Sequence, residues 1–551
     1  MPYFLLPGKD PEGSVSKGDH QRPSSGKLWS WQVEPLAIRR KLGDGTTPSS
    51  DVYFGDGSLL VVDVSELKEK AAITGASSEG GPSQTAVITS ESRLHIINAV
   101  KDDDLTVLAS FSSITNGTTA GEIGWAGIDV NPDRMLITEV EVREDSASNY
   151  SVVAHSTVET ASKVLPCLDE EFNPAMSHVR NNSLNDLNSP DMGIRFLSRA
   201  ANSDYIPDAR KATATIESAT HIAFAGAVPQ MTKMASDSAT NSVVNRMGFA
   251  NPENGAKAMN VDGKLVDDKA LGLALWIAPL WSNQNGFGME AGNLDYGYNA
   301  NIGGISLGAD YTWANNFRAG LMFNIGGGYA ESSGDLSETT NSMTFWGVGA
   351  YGGWKYENFA VMGDVSYTST WNSVDQDLDH RMGMGDLESD IQASAISAGL
   401  RFEYKLETQY LDLIPHVGAR YLSINTWGYD VETNGGTVLE GDGFQQNIWT
   451  FPVGITFSKE LEMNNDWYFK PSVDFTVIPA AGDIKAKEDV LFTGMQRSYE
   501  VETQMMDYFT WQGGVGLEFG NDNMSVGVNY TLQAGQNSTG HGVFGMFRYE
   551  F

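Results

Sequence analysis

The chain closes on HGVFGMFRYEF, His541 to Phe551. Read back from the end, every second residue is apolar or glycine: Phe551, Tyr549, Phe547, Gly545, Val543. Arg548 and Glu550 stand between them. Side chains of a strand point alternately to opposite faces. One face of this last strand is therefore aromatic and the other polar. An aromatic face that runs to the final residue suits a strand lying against an apolar medium and ending at its boundary.

The same pattern recurs through the preceding 280 or so residues. In IGGISLGADYTW (302–313), Ile305, Leu307, Ala309, Tyr311 and Trp313 alternate with Ser306, Gly308, Asp310 and Thr312. FRAGLMFNI (317–325), AISAGLRFEY (395–404), LDLIPHVGARY (411–421), WTFPVGITF (449–457), WYFKPSVDFTV (467–477) and MSVGVNYTL (524–532) repeat it. The apolar face tends to begin or end in Tyr, Trp or Phe, as a lipid-facing band with aromatic girdles does. A soluble core has no reason to put aromatics at its strand ends. The other face carries charges in mid-strand: Arg318, Asp364, Arg401, Arg420, Asp474, Glu518 and Arg548. These are expected to line a watery lumen or pair across it. Counting segments of about ten residues gives about twelve antiparallel strands, an even number as such barrels have. Unpaired backbone groups are costly in lipid, so the last strand is expected to pair with the first, LGLALWIAPLW (271–281), closing a transmembrane β-barrel over 271–551.

Composition agrees and excludes other classes. The 551 residues carry a net charge of −34, which argues against a nucleic-acid partner. Mean hydropathy is only −0.26, and no run approaches the ~20 apolar residues of a spanning helix. Strand-built membrane proteins average out in just this way. The one cysteine, Cys167, has no partner for a disulfide or a CxxC site. It reads as incidental.

Upstream the pattern changes. Residues 1–50 are rich in Gly, Pro, Ser, Lys and Asp and read as poorly ordered. The opening MPYFLLPGKD has no basic n-region and too short an apolar run for a signal peptide. Export would need residues upstream of Met1. Residues 51–157 hold short β-rich runs (DVYF, SLLVVDV, AAIT, TAVIT, RLHIINAV) broken by turns. Evenly spaced short strands suit a β-solenoid; a β-sandwich gives much the same pattern. RMLITEVEV and YSVVAHSTV read as a hairpin able to cap the stack. Residues 158–211 read as a linker. Residues 212–248 lose the alternation and read as α-helix, with Pro229 near the start of its second part and Gly248 at its stop. That helix is small and polar nearly all round. With no wide apolar stripe it needs a polar surrounding, either the lumen of the barrel or a surface position.

Segments such as GGISLGADYTW, FWGVGAYGGWKY, PHVGARY and FKPSVDF, in this order, resemble the translocator barrel of autotransporters, the type V secretion family. GIRFLSRAANSDYIPDARKATATIESATHIAFAGAVPQMT and SATNSVVNRM resemble that family's linker and helix, and SDVYFGDGSLLVVDVSEL and GWAGIDV the end of a β-helical passenger. The resemblance spans about residues 50–551. It implies an all-β protein with a short α segment: a twelve-stranded barrel with a lumenal helix, behind a solenoid-like passenger remnant. It implies an outer-membrane location with the passenger at the cell surface, and a barrel that anchors and helps export that passenger. It also implies partners: outer-membrane lipid, the barrel assembly machine, periplasmic chaperones and the chain's own passenger, with the barrel a monomer. Gly545, Phe547, Tyr549 and Phe551 would form the C-terminal assembly signal. Some family members cut themselves between two Asn in the lumenal helix. Here that helix has Asn241-Ser242 and Asn245-Arg246, so self-cleavage is not expected.

No enzyme signature stands out. GxSxG, HExxH and P-loop patterns are missing, and no cofactor or metal site is expected. His416 reads as a polar wall residue, and Asp102–Asp104 as a solvated turn without EF-hand spacing. The glycines of NIGGGYAESSGD (324–335) read as a strand running out into a flexible external loop. Two rival functions remain: a pore for small solutes, and an adhesin acting through residues 1–157.

Overall fold

The computed structural model describes residues 134–144, 150–182 and 186–248. It also describes 272–550 apart from 314–315, 337, 464–466 and 522–523, and nine short strands between Tyr3 and Val130. The chain forms two compact units: residues 1–166, 173–188 and 201–209 make one, and 167–172, 189–200 and 210–551 the other.

The first unit is a parallel β-solenoid. Leu59 pairs with Arg93 and Arg93 with Gly127, a step of 34 residues each time (59 to 93 to 127). A second parallel sheet steps from Val52 to Ala86 and on to Ile114, 34 and then 28 residues. A third pairs Ile73 with Ala109. Parallel pairing on three sheets rules out the sandwich, and the unequal steps explain why no strict repeat shows in the sequence. The hairpin Leu136–Glu144 and Tyr150–Val158 adds antiparallel to Thr106–Phe111. Tyr3–Leu5, within the stretch expected to be poorly ordered, pairs antiparallel with Leu59–Asp63. The rest of residues 1–50, and the Asp102–Asp104 turn, lie outside the described residues. The stretch read as a linker, 158–211, contains helices at Asn173–Asn182 and Met192–Ala200.

The second unit is a closed antiparallel ring of twelve staves. They are β1 (Gly272–Ala291), β2 (Leu294–Thr312), β3 (Phe317–Gly334), β4 (Thr339–Tyr356), β5 (Phe359–Gln376) and β6 (Leu387–Tyr404). Next come β7 (Asp412–Thr426, then Tyr429–Thr433) and β8 (Gly436–Gly441, Phe444–Thr450, Val453–Ser458, Leu461–Glu462). The ring is completed by β9 (Tyr468–Gly482, Lys485–Phe492), β10 (Tyr499–Gln504, Phe509–Gly520), β11 (Met524–Ala534) and β12 (Ser538–Glu550). β12 closes on β1, with Leu275 opposite Tyr549 and Ile277 opposite Phe547.

The long staves reach 18 to 20 residues, about twice the expected length. The reason lies in a reversal along each strand. In β6, Ile396, Leu400, Phe402 and Tyr404 face outward and are exposed. Four residues up the same outward face the side chains become Gln392, Asp390 and Glu388, while Leu387, Ile391 and Ala393 turn inward and are buried. β1 does the same: Leu273, Leu275, Ile277 and Trp281 are exposed, then Asn283 takes over the outer face. The half that holds the barrel's termini is apolar outside, as lipid demands. The other half is polar outside and apolar inside, like a water-soluble protein. A large apolar side chain left in water forfeits about 1.5–3 kcal/mol. That cost, repeated on every stave, requires hydrocarbon around the first half. Among the described residues no helix is long and apolar enough to cross a membrane; the strands do so.

The glycines Gly326, Gly327 and Gly328 do not precede a loop. β3 runs unbroken to Gly334. A Cβ at Gly326 would lie 2.3 Å from the Gly303 carbonyl and 2.6 Å from the Phe345 ring, and one at Gly328 2.8 Å from Met231. The bare backbone thins the wall where Phe345 and the lumenal helix press in.

Candidate functional site

The ring is filled by its own chain. Among the described residues, four helices lie in this unit: α1 (Met192–Ala200), α2 (Ala209–Thr220, from its second residue onward), α3 (Ile222–Ala225) and α4 (Val228–Met247). Within the region read as one helix, 212–248, two joints interrupt: His221, outside helical geometry, and Gly226–Ala227, where Ala227 takes a left-handed φ of 52°.

α4 runs down the lumen. Near its top Gln230 donates to the Tyr296 hydroxyl (2.9 Å), and Thr232 shares a hydroxyl bond with Thr370 (2.9 Å). Its serines bond their own helix: Ser238 to Ala235 O (2.6 Å), Ser242 to Ser238 O (2.9 Å). The helix therefore needs fewer wall partners than its polarity suggested. Ala239, Val243 and Met247 pack on Trp276, Met322, Tyr351 and Met362 in an apolar cluster. On the far side of the helix lies a cavity of about 170 Å³ lined by Lys233, Asp237, Asn241, Arg401, Arg420 and other residues. The helix thus packs tightly on one side and leaves a cavity with charged groups in its lining on another.

Its last turn is locked. Arg246 donates from Nε and Nη2 to the two carboxylate oxygens of Asp310 (2.7 and 2.6 Å), and both side chains are fully buried. Asp310 also accepts from Tyr351 Oη (2.8 Å), which takes a bond from Trp276 Nε1 (2.7 Å). Arg318 Nε lies 3.4 Å from the same carboxylate. Trp276 fits because residue 308 is glycine: a Cβ there would come within 2.1 Å of the indole.

The other charges singled out from the sequence are braced along the inner wall. Asp364 takes a two-pronged bond from Arg420 (2.6 and 2.8 Å). Arg401 donates to Glu403 (2.8 Å). Asp474 accepts from Thr456 and Thr476 (2.7 Å each), and His416 Nε2 bonds Thr476 (2.9 Å). Glu518 accepts from Tyr468 Oη (2.6 Å), opposite Lys470. Arg548 is buried and reaches Asn521 O (3.4 Å). On the outer face Phe547 and Tyr549 are exposed, and Gly545 gives way to Pro279 of β1; Phe551 lies outside the described residues. Cys167 is exposed, with a φ of 68°. Sequence reading missed the Arg246–Asp310 lock, although both residues sat in segments already read as helix and strand. No local spacing links positions 64 apart.

Above the lipid band, burial pushes the Glu217 carboxyl up to about 8 and the His221 imidazole down to about 4. Glu217 accepts from Asp169 N (2.9 Å), and His221 Nδ1 bonds the Glu217 carbonyl (2.9 Å). Burial likewise pushes Glu488, beside Tyr429, up to about 8. These groups sit neutral at neutral pH and serve packing. Among the described residues no group of three or more His, Cys, Asp or Glu is placed to hold a metal ion.

The profile of a family described as "Autotransporter beta-domain" matches residues 275–531. Among solved structures, the chain is similar to the translocator domain of NalP from Neisseria meningitidis, at 12% identity and a TM-score of 0.42, over 60% of this chain and 99% of that one. It is similar to the transport unit of AIDA-I from Escherichia coli (18%, TM-score 0.39, 56% and 98%). The beta domain of the Bordetella autotransporter BrkA is also similar (14%, TM-score 0.38, 51% and 100%). No curated protein matches the chain.

Proposed function

We propose that this barrel, whose residues 275–531 match the profile described as "Autotransporter beta-domain", sits in the outer membrane and anchors and helps export the chain's own N-terminal region. The observation that carries the reading is the course of the chain. α4 descends inside a closed ring, and β1 begins at the end where β12 finishes. A chain that threads the ring leaves its upstream residues on the side away from the barrel's termini. The work is conformational: strands pair, rungs stack, apolar surface is buried, and no bond is made or broken. The charged wall braces itself and keeps the lower lumen wet enough for a polar helix to slide in.

Gly545, Phe547, Tyr549 and Phe551 address the unfolded barrel to the assembly machine, with periplasmic chaperones holding it beforehand. The finished barrel needs no second chain to complete its sheet, because the closed ring leaves no free edge. The test is to express the chain behind a signal peptide in a Gram-negative host and probe intact cells with an antibody against residues 51–157. Surface labelling that disappears when residues 272–551 are deleted is expected. Labelling that needs prior rupture of the outer membrane overturns the export reading.

A further inference from the structure

The upper half of the barrel holds a second filling, separate from the pore helix. It consists of the turn Glu170–Phe172, α1, α2 and α3. Phe172 packs on Phe492 and Tyr499 (ring centres 6.3 and 5.6 Å apart), Phe196 stacks on Phe492 (6.2 Å), and Phe224 stacks on Phe444 (4.9 Å). All of these rings are buried, in the part of the ring whose outer face is polar.

The filling is tied to five of the six outer hairpins. Asp169 lies against Gly292 in the β1–β2 turn. Arg210 and Lys211 pair with Asp335 and Glu338 at the β3–β4 turn (2.9 and 3.3 Å). The Arg199 guanidinium donates to the Met382 carbonyl between β5 and β6. Met192 covers Gly435 between β7 and β8. At the β9–β10 turn the Gly193 amide donates to Thr493 Oγ1 (2.7 Å), and a Cβ on Gly193 would come within 2.6 Å of the backbone there. The approach is close enough to exclude water between helix and rim.

We infer that these segments form a stopper that seals the outer mouth by itself, so that the barrel carries two seals in series. The lower one is α4, beside which the cavity lined by Lys233, Asp237, Arg401 and Arg420 remains. The upper one is packed on aromatic rings, with Glu217 and His221 buried in it. A polypeptide in transit and the stopper cannot share the upper lumen. The stopper is therefore set last, when residues 167–172, 189–200 and 210–225 come to rest. While it is unset, the apolar inner face of the upper wall, including Tyr298, Ile391 and Phe444, faces the moving chain. A sheet apolar on its inner face and polar outside is stable above the membrane only when filled, which gives the last step of export a direction.

The inference stands on the barrel alone and goes beyond the export reading. Planar-bilayer conductance of the purified full chain tests it. One variant replaces Val228–Met247 with a Gly/Ser stretch of equal length. A second carries Phe196→Asp with Phe172→Asp. A third combines both. The parent and the first two variants are expected to stay closed, and the combination to conduct at least tenfold above them. Steady conductance from the helix-replaced variant alone overturns the second seal. A combination that folds, judged by its heat-modifiable gel mobility, yet stays closed also overturns it. If the Asp variants do not fold, Arg199→Ala with Arg210→Ala in the helix-replaced background loosens the rim. Flickering openings are then expected, and their absence counts against the stopper. Surface display of residues 51–157 reports the export reading separately.

Discussion

Asp310 is the residue whose loss should be felt most. Its carboxylate holds Arg246 by two bonds, Tyr351 by a third, and Arg318 at 3.4 Å, with no solvent around the pair. Replacing it with Ala leaves two guanidinium groups facing one another in a buried space. Removing one partner of a buried ion pair costs about 3–5 kcal/mol. At roughly 2–4 °C per kcal/mol for chains of a few hundred residues, the barrel's thermal transition should fall by about 6–20 °C. Arg246→Met should cost less, because Arg318 still faces Asp310, Tyr351 still donates to it, and the methionine can fill part of the space. The double variant should lie well short of the sum, since both changes dismantle one cluster. The assay is the temperature at which the folded band on an unboiled gel gives way to the denatured one. A shift under about 2 °C for Asp310→Ala, or full additivity in the double variant, refutes the idea that α4 is locked by this cluster.

Other predictions follow from the same geometry. Leu400→Arg, on the lipid face of β6, should destabilise by about 2–4 kcal/mol, while Gln392→Arg on the same outward face should cost about 0–1; equal effects in denaturant titrations from lipid vesicles would misplace the aromatic line. Gly308→Ala drives a methyl into the Trp276 indole and should cost about 1–3 kcal/mol, with a change in tryptophan fluorescence. Glu217, its pKa raised by burial from 4.5 to about 8, favours the folded stopper fully below about pH 4.5, and that contribution is lost as pH rises through about 8. His221, lowered to about 4, contributes above about pH 6.5 and loses its contribution as pH falls through 4. Protection factors of the α2 amides, with the intrinsic pH dependence of exchange divided out, should therefore be highest at mildly acidic pH. Glu217→Gln should flatten the alkaline side; an unchanged profile would place that titration elsewhere.

Much of the membrane half was legible in the sequence. Strand polarity there is decided locally, residue by residue, by which neighbour is lipid and which is water. Ile396, Leu400, Phe402 and Tyr404 announce their face without help from any distant residue, and so do Phe547 and Tyr549 in the final strand. The upper half obeys the same period with the sign reversed. Leu387 and Ile391 turn inward because α1 to α3 fill the space behind them, which no neighbour in the sequence announces. The three glycines at 326–328 misled for the same reason, because their role is set by Phe345 and Met231 across the wall.

The sequence by itself therefore determined the alternation, the lipid-facing girdle, the closing of β12 on β1 and the presence of a helix unsuited to an ordinary core. Tertiary structure alone decided where lipid stops along each stave, that residues 167–172, 189–200 and 210–225 fill the upper lumen, and that Arg246 meets Asp310. The division has one physical cause. Period-two patterning reports the medium on each side of a strand, but when that medium is another part of the same chain, only folding brings it there.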